Sequence, residues 1–430
     1  MNVANKYYTI KQMLSCNRAF KRACQVFGVF VIVVILAPFI ANDKPLVCNY
    51  QGQWLFPAFS WKQQVILPNQ EIMHYNMGRE WKLKNYDFAI FAPCAYSPNT
   101  IDADNAPRKS PFDKQLLESS NKKLVPLPLK YRHWLGTTQN GTDVLSGIIH
   151  GTKIALSVGI FSMLIAALFG IGLGASAGYF GNNALKIGYV QIILLIISLG
   201  IAWFYGFVVR TSSLSNAFQQ GGIYLIMQLF LSFCICGIII YLFSFIGKRI
   251  DTNLKLSKNL HLPVDAIVSR LIEILNAIPS LLLIITLSAI AKPSYTVLIC
   301  IIGFLSWTNI ARLTRTEFQK TKQLDYITSC KAIGMSDFRV MYKHILPNVF
   351  SLILVQLVFG MAGAVLVEAS LSFIGVGVPL DIVTWGSLLN EARDHFSSWW
   401  LVLFPGLCVF TLIYIYNKIG KELSIFCTIT

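Results

Sequence analysis

Eight apolar runs, each of a length that spans a hydrocarbon layer, limit what this chain can fold into more than any other feature. They cover residues 23–42, 154–180, 188–209, 221–247, 264–291, 293–311, 345–374 and 397–417. A spanning helix needs roughly 20 consecutive apolar residues, and backbone groups in lipid must bond internally, which selects helices. Composition agrees, with 55% hydrophobic and only 13% charged residues. The run 264–291 opens with Asp265, Arg270 and Glu273, and 345–374 carries Glu368 late, yet each keeps an uncharged stretch. The expected fold is an all-α polytopic membrane protein with about eight transmembrane helices and a polar outer-face segment.

Lys and Arg in short loops set the orientation, because positive charge is retained on the cytoplasmic side. The tail 1–22 has Lys6, Lys11, Arg18, Lys21 and Arg22. The loop 248–262 has Lys248, Arg249, Lys255 and Lys258, and 312–344 has Arg312, Arg315, Lys320, Lys322, Lys331, Arg339 and Lys343. These three belong inside. The segments 210–220, 292 and 375–396 hold only Arg210, Lys292 and Arg393 and belong outside. Eight crossings then place both termini in the cytoplasm, beside Lys418 and Lys421 at the C-terminal end. The net charge of +16 thus reflects topology and a basic outer segment, and membrane lipid rather than nucleic acid is the expected partner. The first span reads as a retained anchor, since no small-residue cleavage site follows it.

The outer segment, 43–150, is rich in Pro and carries Trp54, Trp61, Trp81 and Trp134. It also holds Cys48 and Cys94, a candidate disulfide on the side where such bonds persist. Cys234 and Cys236, inside an apolar run, show that this chain also uses Cys as a small apolar residue.

Between two apolar runs lies KAIGMSDFRVMYKHILPN, residues 331–348, with Lys331, Asp337, Arg339, Lys343 and His344. Its pattern predicts two short helices meeting at a turn. Gly334 tolerates the left-handed conformation that ends a helix. Ser336 can cap the next one, with Asp337 at the positive end of its dipole, and Pro347 is expected to stop it. Tyr326, Cys330 and Ile333 would line one face of the first helix, and Phe338, Met341 and Ile345 one face of the second. So short a pair needs a partner surface: a cytoplasmic protein, or lipid headgroups.

Asp325, Tyr326, Ala332 and Gly334, then nine residues, then His344-Ile345-Leu346-Pro347-Asn348, resemble the coupling loop of permease subunits of ABC importers. The likeness is to the second-type permeases of the dipeptide/oligopeptide/nickel family. That loop normally reads Glu-Ala-Ala, three residues, Gly, nine residues, Ile-x-Leu-Pro. Here Thr328, Ser329 and Cys330 replace the triplet and His344 the Ile, with the spacing from Gly334 to Leu346-Pro347 intact. The block 133–159 is similar to the family's entry into its transmembrane domain, matching at Leu135, Gly136, Thr137, Gly141, Asp143 and Val144, with Thr138 and Thr142 replacing Asp and Arg. GYFG at 178–181, AIPSLLL at 277–283, VEASLSFIGVGV at 367–378 and TWGSLL at 384–389 match too.

The resemblance implies a permease domain over 151–420 whose coupling loop, 312–347, meets an ATPase through Asp325, Ala332, Gly334, Ser336, Leu346 and Pro347. It implies a second homologous permease subunit, two ATP-binding subunits that hold ATP and Mg²⁺, and an extracytoplasmic solute-binding protein, in a bacterial cytoplasmic (inner) membrane. It also points to Trp385 and Gly386 as part of an outer gate. Two departures stand out. Residues 182–263 are inserted where the family continues directly, and their two apolar runs read as an added hairpin on six core helices. The C-terminal pattern keeps Asn417, Gly420 and Leu423 and then reads SIFCTIT, a shortened version of the family's ending.

No Gly-x-x-x-x-Gly-Lys-Ser/Thr phosphate loop occurs, so ATP belongs to another polypeptide. His74, His133, His150, His261, His344 and His395 show no metal-ligand spacing, and no nucleophile has a neighbouring base. No catalytic or metal-binding residue is expected. Gly170, Gly174 and Gly178 recur every fourth residue and read chiefly as a packing face. Glu368, within a span, is either a pathway residue or an internal hydrogen-bonding group. Arg270 and Glu273 are placed to pair at i, i+3. The function expected is import of peptides or similar small solutes. A self-contained ion-coupled transporter or channel is the alternative, and a non-transporting scaffold a third class; the uncharged spans speak against the second and the coupling loop against the third.

Overall fold

The computed structural model describes residues 18–50, 52–59, 64–66, 72–74, 81–82, 86–118, 124–184, 186–220, 222–253, 259–290, 293–379, 381–395 and 397–429. Most of the expected tail, with Lys6 and Lys11, and also Trp61, Lys255, Lys258 and Lys292, lie outside the described residues. The helices are α1 (Arg18–Ile40), α2 (Val144–Phe180), α3 (Tyr189–Trp203), α4 (Thr211–Gln220), α5 (Gly222–Asn253), α6 (Val264–Ala277), α7 (Ser280–Ile290), α8 (Tyr295–Lys322), α9 (Asp325–Ala332), α10 (Asp337–Val340), α11 (Leu346–Ile374), α12 (Trp385–Ala392) and α13 (Trp399–Ile429). Short strands are β1 (Val47–Tyr50), β2 (Gln53–Leu55), β3 (Gln64–Ile66), β4 (Ile72–His74), β5 (Phe88–Ile90), β6 (Leu116–Glu118), β7 (Leu124–Pro126), β8 (Lys186–Gly188) and β9 (Asn259–His261).

Among the described residues, 7 helical stretches are long and apolar enough to cross a membrane, and α6 with α7 make up to 8 if counted as one span. That span, expected as one apolar run over 264–291, is bent by 78°. Ile278, ahead of Pro279, takes an extended conformation (φ −100°, ψ 130°), as the crowding of a following proline ring requires. Other expected boundaries move outward. The first helix starts by Arg18, so Arg18, Lys21 and Arg22 sit on helix rather than in a tail. The helix expected from 154 begins at Val144, and the one expected to end at 311 reaches Lys322. Long cationic side chains can extend from a helix end into headgroups, so charge alone does not mark where the backbone leaves the helix.

The chain forms two units, residues 1–163 with 355–430, and residues 164–354. In the first, Leu156, Val365, Ala369, Trp385, Leu412 and Tyr416 are buried together, with Phe27, Phe30 and Val34 of α1 packed against them. Its outer segment has a three-stranded antiparallel sheet in the order β2-β1-β5. Cys48, Leu55, Trp81, Phe91 and Ala95 make the small core beside that sheet.

In the second unit the glycine stripe of α2 lies on α8. A Cβ added at Gly174 would stand 2.5 Å from the Ala311 carbonyl oxygen, one at Gly178 2.5 Å from that of Arg315, and one at Gly170 2.7 Å from Ile310 Cβ. The stripe is a packing face. The inserted segment is tied at its base by β8 pairing with β9. Asp251 caps α3 by accepting from the Val190 and Gln191 amides at 3.2 and 3.0 Å. Gln191 Nε2 donates to Ser244 Oγ at 2.9 Å. Phe230, Ile238 and Tyr241 are exposed on α5, as a lipid-facing surface would be.

Gly174→Leu is expected to remove most folded protein, because the backbones of α2 and α8 must separate to admit the side chain. Gly172→Leu, with nothing within 4 Å of its added Cβ, is expected to be tolerated. Monodisperse yield on size-exclusion chromatography after detergent extraction distinguishes them.

Candidate functional site

The helix pair 325–340 is built around one turn. α9 runs from Asp325 to Ala332, and Gly334 follows with φ +84°. The Met335 amide donates to the Cys330 carbonyl at 3.2 Å and that of Gly334 to Lys331 at 2.9 Å, the double bond of a Schellman ending. The expected role of Gly334 is thus seen in the backbone. Ser336 does hold the extended capping conformation, but its side chain makes no capping hydrogen bond. Asp337, the next residue, directs its carboxylate to the Tyr179 hydroxyl instead.

Pro347 does not stop the second helix. α10 continues through a wide π turn, Met341–Ile345, into α11, whose first residue is Leu346. Proline crowds the carbonyl four residues back, and the wider turn, with its extra residue, lets the helix carry the ring forward. The apolar faces also differ from expectation. Ile327, Val340 and Ile345 are fully buried, whereas Ile333, Phe338 and Tyr342 are 84%, 77% and 68% exposed. Phe338 and Tyr342 lie parallel, with ring centroids 6.4 Å apart. Tyr326 is anchored from the side, accepting a bond from Asn348 Nδ2 at 2.7 Å. In the substituted triplet, Thr328 and Ser329 donate to the Asp325 carbonyl at 2.7 and 2.9 Å.

The first unit holds a second polar assembly, in the block 133–144. The buried His133 ring lies between two carboxylates, with Nδ1 2.8 Å from Asp143 and Nε2 3.2 Å from Asp102. It stacks on Tyr96 at 4.0 Å. Gln115 clamps its backbone, donating to the His133 carbonyl at 2.9 Å and accepting from its amide at 2.8 Å. Asp143 also receives the Ser146 amide at 2.7 Å, at the start of α2. Gly136 and Gly141 have φ of +83° and +78°, which explains glycine at both positions. Trp400 Nε1 donates to the Thr137 carbonyl at 3.1 Å.

This assembly corrects the disulfide expectation. Cys48 and Cys94 are free and buried, in separate clusters: Cys48 beside Trp81 and Phe91, Cys94 beside Ala37 and Tyr96. The Cys94 thiol donates to Asp143 at 3.1 Å. Burial pushes the Cys48 thiol up to about 11, and burial together with the Asp143 carboxylate pushes Cys94 up as well.

Glu368, Trp385 and Gly386 are brought together. Glu368 is buried and accepts from Ser372 at 2.8 Å. Trp385 is buried and donates to the Ile148 carbonyl at 3.0 Å. A Cβ on Gly386 would meet Ser372 Cβ at 2.6 Å. Thr384 and Ser387 close a reciprocal cap on α12. Glu368 is thus satisfied by hydrogen bonding within the protein. Arg270 and Glu273 form the expected pair at 2.7 Å, well exposed, and such a pair contributes little.

Sequence reading missed Tyr179, Lys82 and Tyr342, the last of which is exposed beside Phe338. Tyr179 lies inside the quoted GYFG, which was the available signal. Nothing in spacing marks Lys82, whose amine stands 2.9 Å from the Tyr96 ring centroid.

The architecture defines an α-helical protein with several helices long and apolar enough to cross a membrane, and the family match gives it the ABC-importer transmembrane fold. Residues 256–421 match the family described as binding-protein-dependent transport system inner membrane component. The chain is 25% identical over 400 residues to the inner membrane ABC transporter permease protein YejE of Escherichia coli, covering 92% of this chain and 89% of that one. It is 28% identical over 324 residues to the dipeptide transport system permease protein DppC of Haemophilus influenzae, covering 74% and 82%. A peptidoglycan transport system permease protein of Agrobacterium fabrum is 23% identical over 414 residues, covering 92% and 86%. The chain is a permease subunit of an ATP-driven importer, acting in a system with ATPase and binding-protein partners.

Burial drives the Lys82 amine down to about 7 against the attraction of Asp102 and Asp143. Because the unfolded chain holds this amine charged up to its ordinary value of 10.5, its burial opposes folding most below about pH 7, and the penalty fades as pH rises. For His133, burial lowers the pKa but hydrogen bonds to Asp102 and Asp143 raise it further, to a net increase. Its stabilisation is therefore full below the ordinary 6.5 and lost as pH rises through the folded value. Lys82→Met is expected to raise the thermal unfolding midpoint by a few degrees at pH 6, with the gain vanishing near pH 10; scanning fluorimetry of the detergent-purified chain measures it.

Proposed function

We propose that this permease moves peptides or similar small solutes across the bacterial cytoplasmic membrane, with both termini in the cytoplasm. An extracytoplasmic solute-binding protein delivers the solute. A second homologous permease completes the pathway, and two ATPase subunits, which hold ATP and Mg²⁺, drive it. The names of the similar proteins, dipeptide and peptidoglycan permeases among them, support the substrate class. Closure of the ATPases would move the helix pair and switch the pathway between inward and outward facing. Trp385 and Gly386 would belong to the outer gate of that pathway, with Glu368 as the buried group that holds their helix.

The observation that carries the coupling role is the exposure of Ile333, Phe338 and Tyr342 on and just after a helix pair whose turn is fixed by backbone bonds. Large apolar side chains so exposed on a short helix pair need a covering surface. Asp325, Ala332, Gly334 and Ser336 shape that pair, and Leu346 and Pro347 join it to α11. Lys331, Arg339 and Lys343 on the same segment are exposed too, so an apolar groove with an acidic rim on the ATPase fits it. Charge around the rim would set encounter, and the aromatic pair the hold.

Phe338→Asp with Tyr342→Asp is expected to weaken ATPase association at least about tenfold, since hot-spot aromatics typically contribute 2 kcal/mol or more. Membrane insertion should be unchanged. Co-purification of tagged ATPase with the membrane subunits, and ATP-dependent uptake in proteoliposomes, measure this. Undiminished association would overturn the docking role, and uptake that follows an ion gradient without ATP would overturn the importer.

A further inference from the structure

Tyr179 stands at the end of α2, directly after the glycine stripe, and is 1% exposed. Its position is fixed on three sides. Gly178 before it lies against the Arg315 carbonyl and Phe318 of α8, where no side chain fits. Its own carbonyl accepts from Lys322 Nζ at 2.5 Å. Its ring lies under Lys331 Nζ, 4.7 Å from the centroid, and Lys322 Nζ, 5.4 Å away, both within cation–π range.

From this fixed place the hydroxyl donates to Asp337 Oδ1 at 2.5 Å. That is the short range of an O–H bond to an ionised carboxylate, roughly twice as strong as a neutral bond. The carboxylate belongs to the other class of structure: its side chain is 57% exposed, and Lys331 Nζ is 3.9 Å from it. Asp337 opens α10, one residue before the exposed Phe338. A buried phenol on a spanning helix thus holds the first residue of the proposed docking helix.

We propose that Tyr179 is a positioning residue for energy transfer, with its bond to Asp337 passing the displacement of the helix pair 325–340 to α2. Lys322 and Lys331 fix the phenol and the carboxylate in register. This rests on the importer reading above. A docking face alone would explain association with an ATPase; it would not require an exposed acid to be tied to a buried hydroxyl on a different helix. Without that tie, the pair can move with its partner while α2 stays.

The test uses the full reconstituted complex with both permeases, the ATPases and the binding protein, in proteoliposomes. Tyr179→Phe keeps the ring and both cation–π contacts and removes only the donor. It is expected to leave complex assembly and ATP hydrolysis near wild type while raising ATP hydrolysed per solute imported at least about tenfold, the scale of losing a hydrogen bond to a charged group. Asp337→Ala should do the same. Asp337→Asn, which keeps an acceptor oxygen, should restore much of the ratio. An unchanged ratio in Tyr179→Phe overturns the proposal, and so does failure of that variant to assemble, which would make the bond structural. A wild-type complex without ATP-dependent uptake would overturn the importer reading and this proposal with it.

Discussion

Inside hydrocarbon, a backbone N–H or C=O has no water to bond, and every other feature of this chain is arranged around that constraint. Regular helix occupies most of the apolar runs among the described residues, and two departures from it have visible causes. At Ile278 a following proline forces extended backbone and a 78° bend. At Met341–Ile345 a wider turn carries the helix past Pro347. Where two helix backbones approach closely, glycine is used, as at Gly170, Gly174 and Gly178. Lipid is as apolar as the side chains it contacts, so this close fit supplies attraction that hydrophobicity alone does not.

Several polar groups are collected into hydrogen-bonded clusters. His133 is held by two acids, Gln115 and a stacked tyrosine. Glu368 takes the hydroxyl of Ser372 one turn on. Asp337 takes that of Tyr179. Each cluster fixes one helix start or turn: α2 through Asp143, α12 through the segment around Thr384, and α10 through Asp337. A buried polar group without partners is strongly unfavourable. These groups therefore specify position more sharply than apolar contacts can, because a hydrogen bond lost by a displacement of one ångström is not replaced.

Much of this was legible. The apolar runs located the helices of spanning length, seven among the described residues or eight if the bent pair α6 and α7 is one span, since a window of about 20 residues integrates enough hydropathy to outweigh local exceptions. Gly334 was legible because only one backbone conformation makes glycine the best residue there. The exposure of the side chains on the helix pair 325–340 was not. So short a pair has too few turns to fix the phase of a 3.6-residue period, so Phe338 and Ile345 were placed on one face, and the structure exposes the first and buries the second. Ser336 was read as a side-chain cap, but a serine in capping conformation need not use its hydroxyl. Cys48 and Cys94 share a compartment, yet compartment does not bring them together: the Cys94 thiol is engaged by Asp143. Lys82 and Tyr179 owe their surroundings to contacts distant in sequence, for which no local pattern exists.

The altered triplet Thr328-Ser329-Cys330 is best understood in this light. A glutamate at Thr328 would offer a charge to a partner; threonine and serine instead bond back to the Asp325 carbonyl within their own helix. This removes an outward interaction while reinforcing the helix that presents the turn. On the docking role proposed above, recognition would then rest on what remains exposed, Ile333 and the parallel Phe338 and Tyr342 rings, with the exposed Lys331, Arg339 and Lys343 on the same segment. An apolar centre with a charged rim is a sufficient docking surface. The consequence is mechanical as well as energetic. If the triplet gives up its own charged contact, the orientation of the pair depends more heavily on internal ties, among them the bond from Tyr179 of α2 to Asp337.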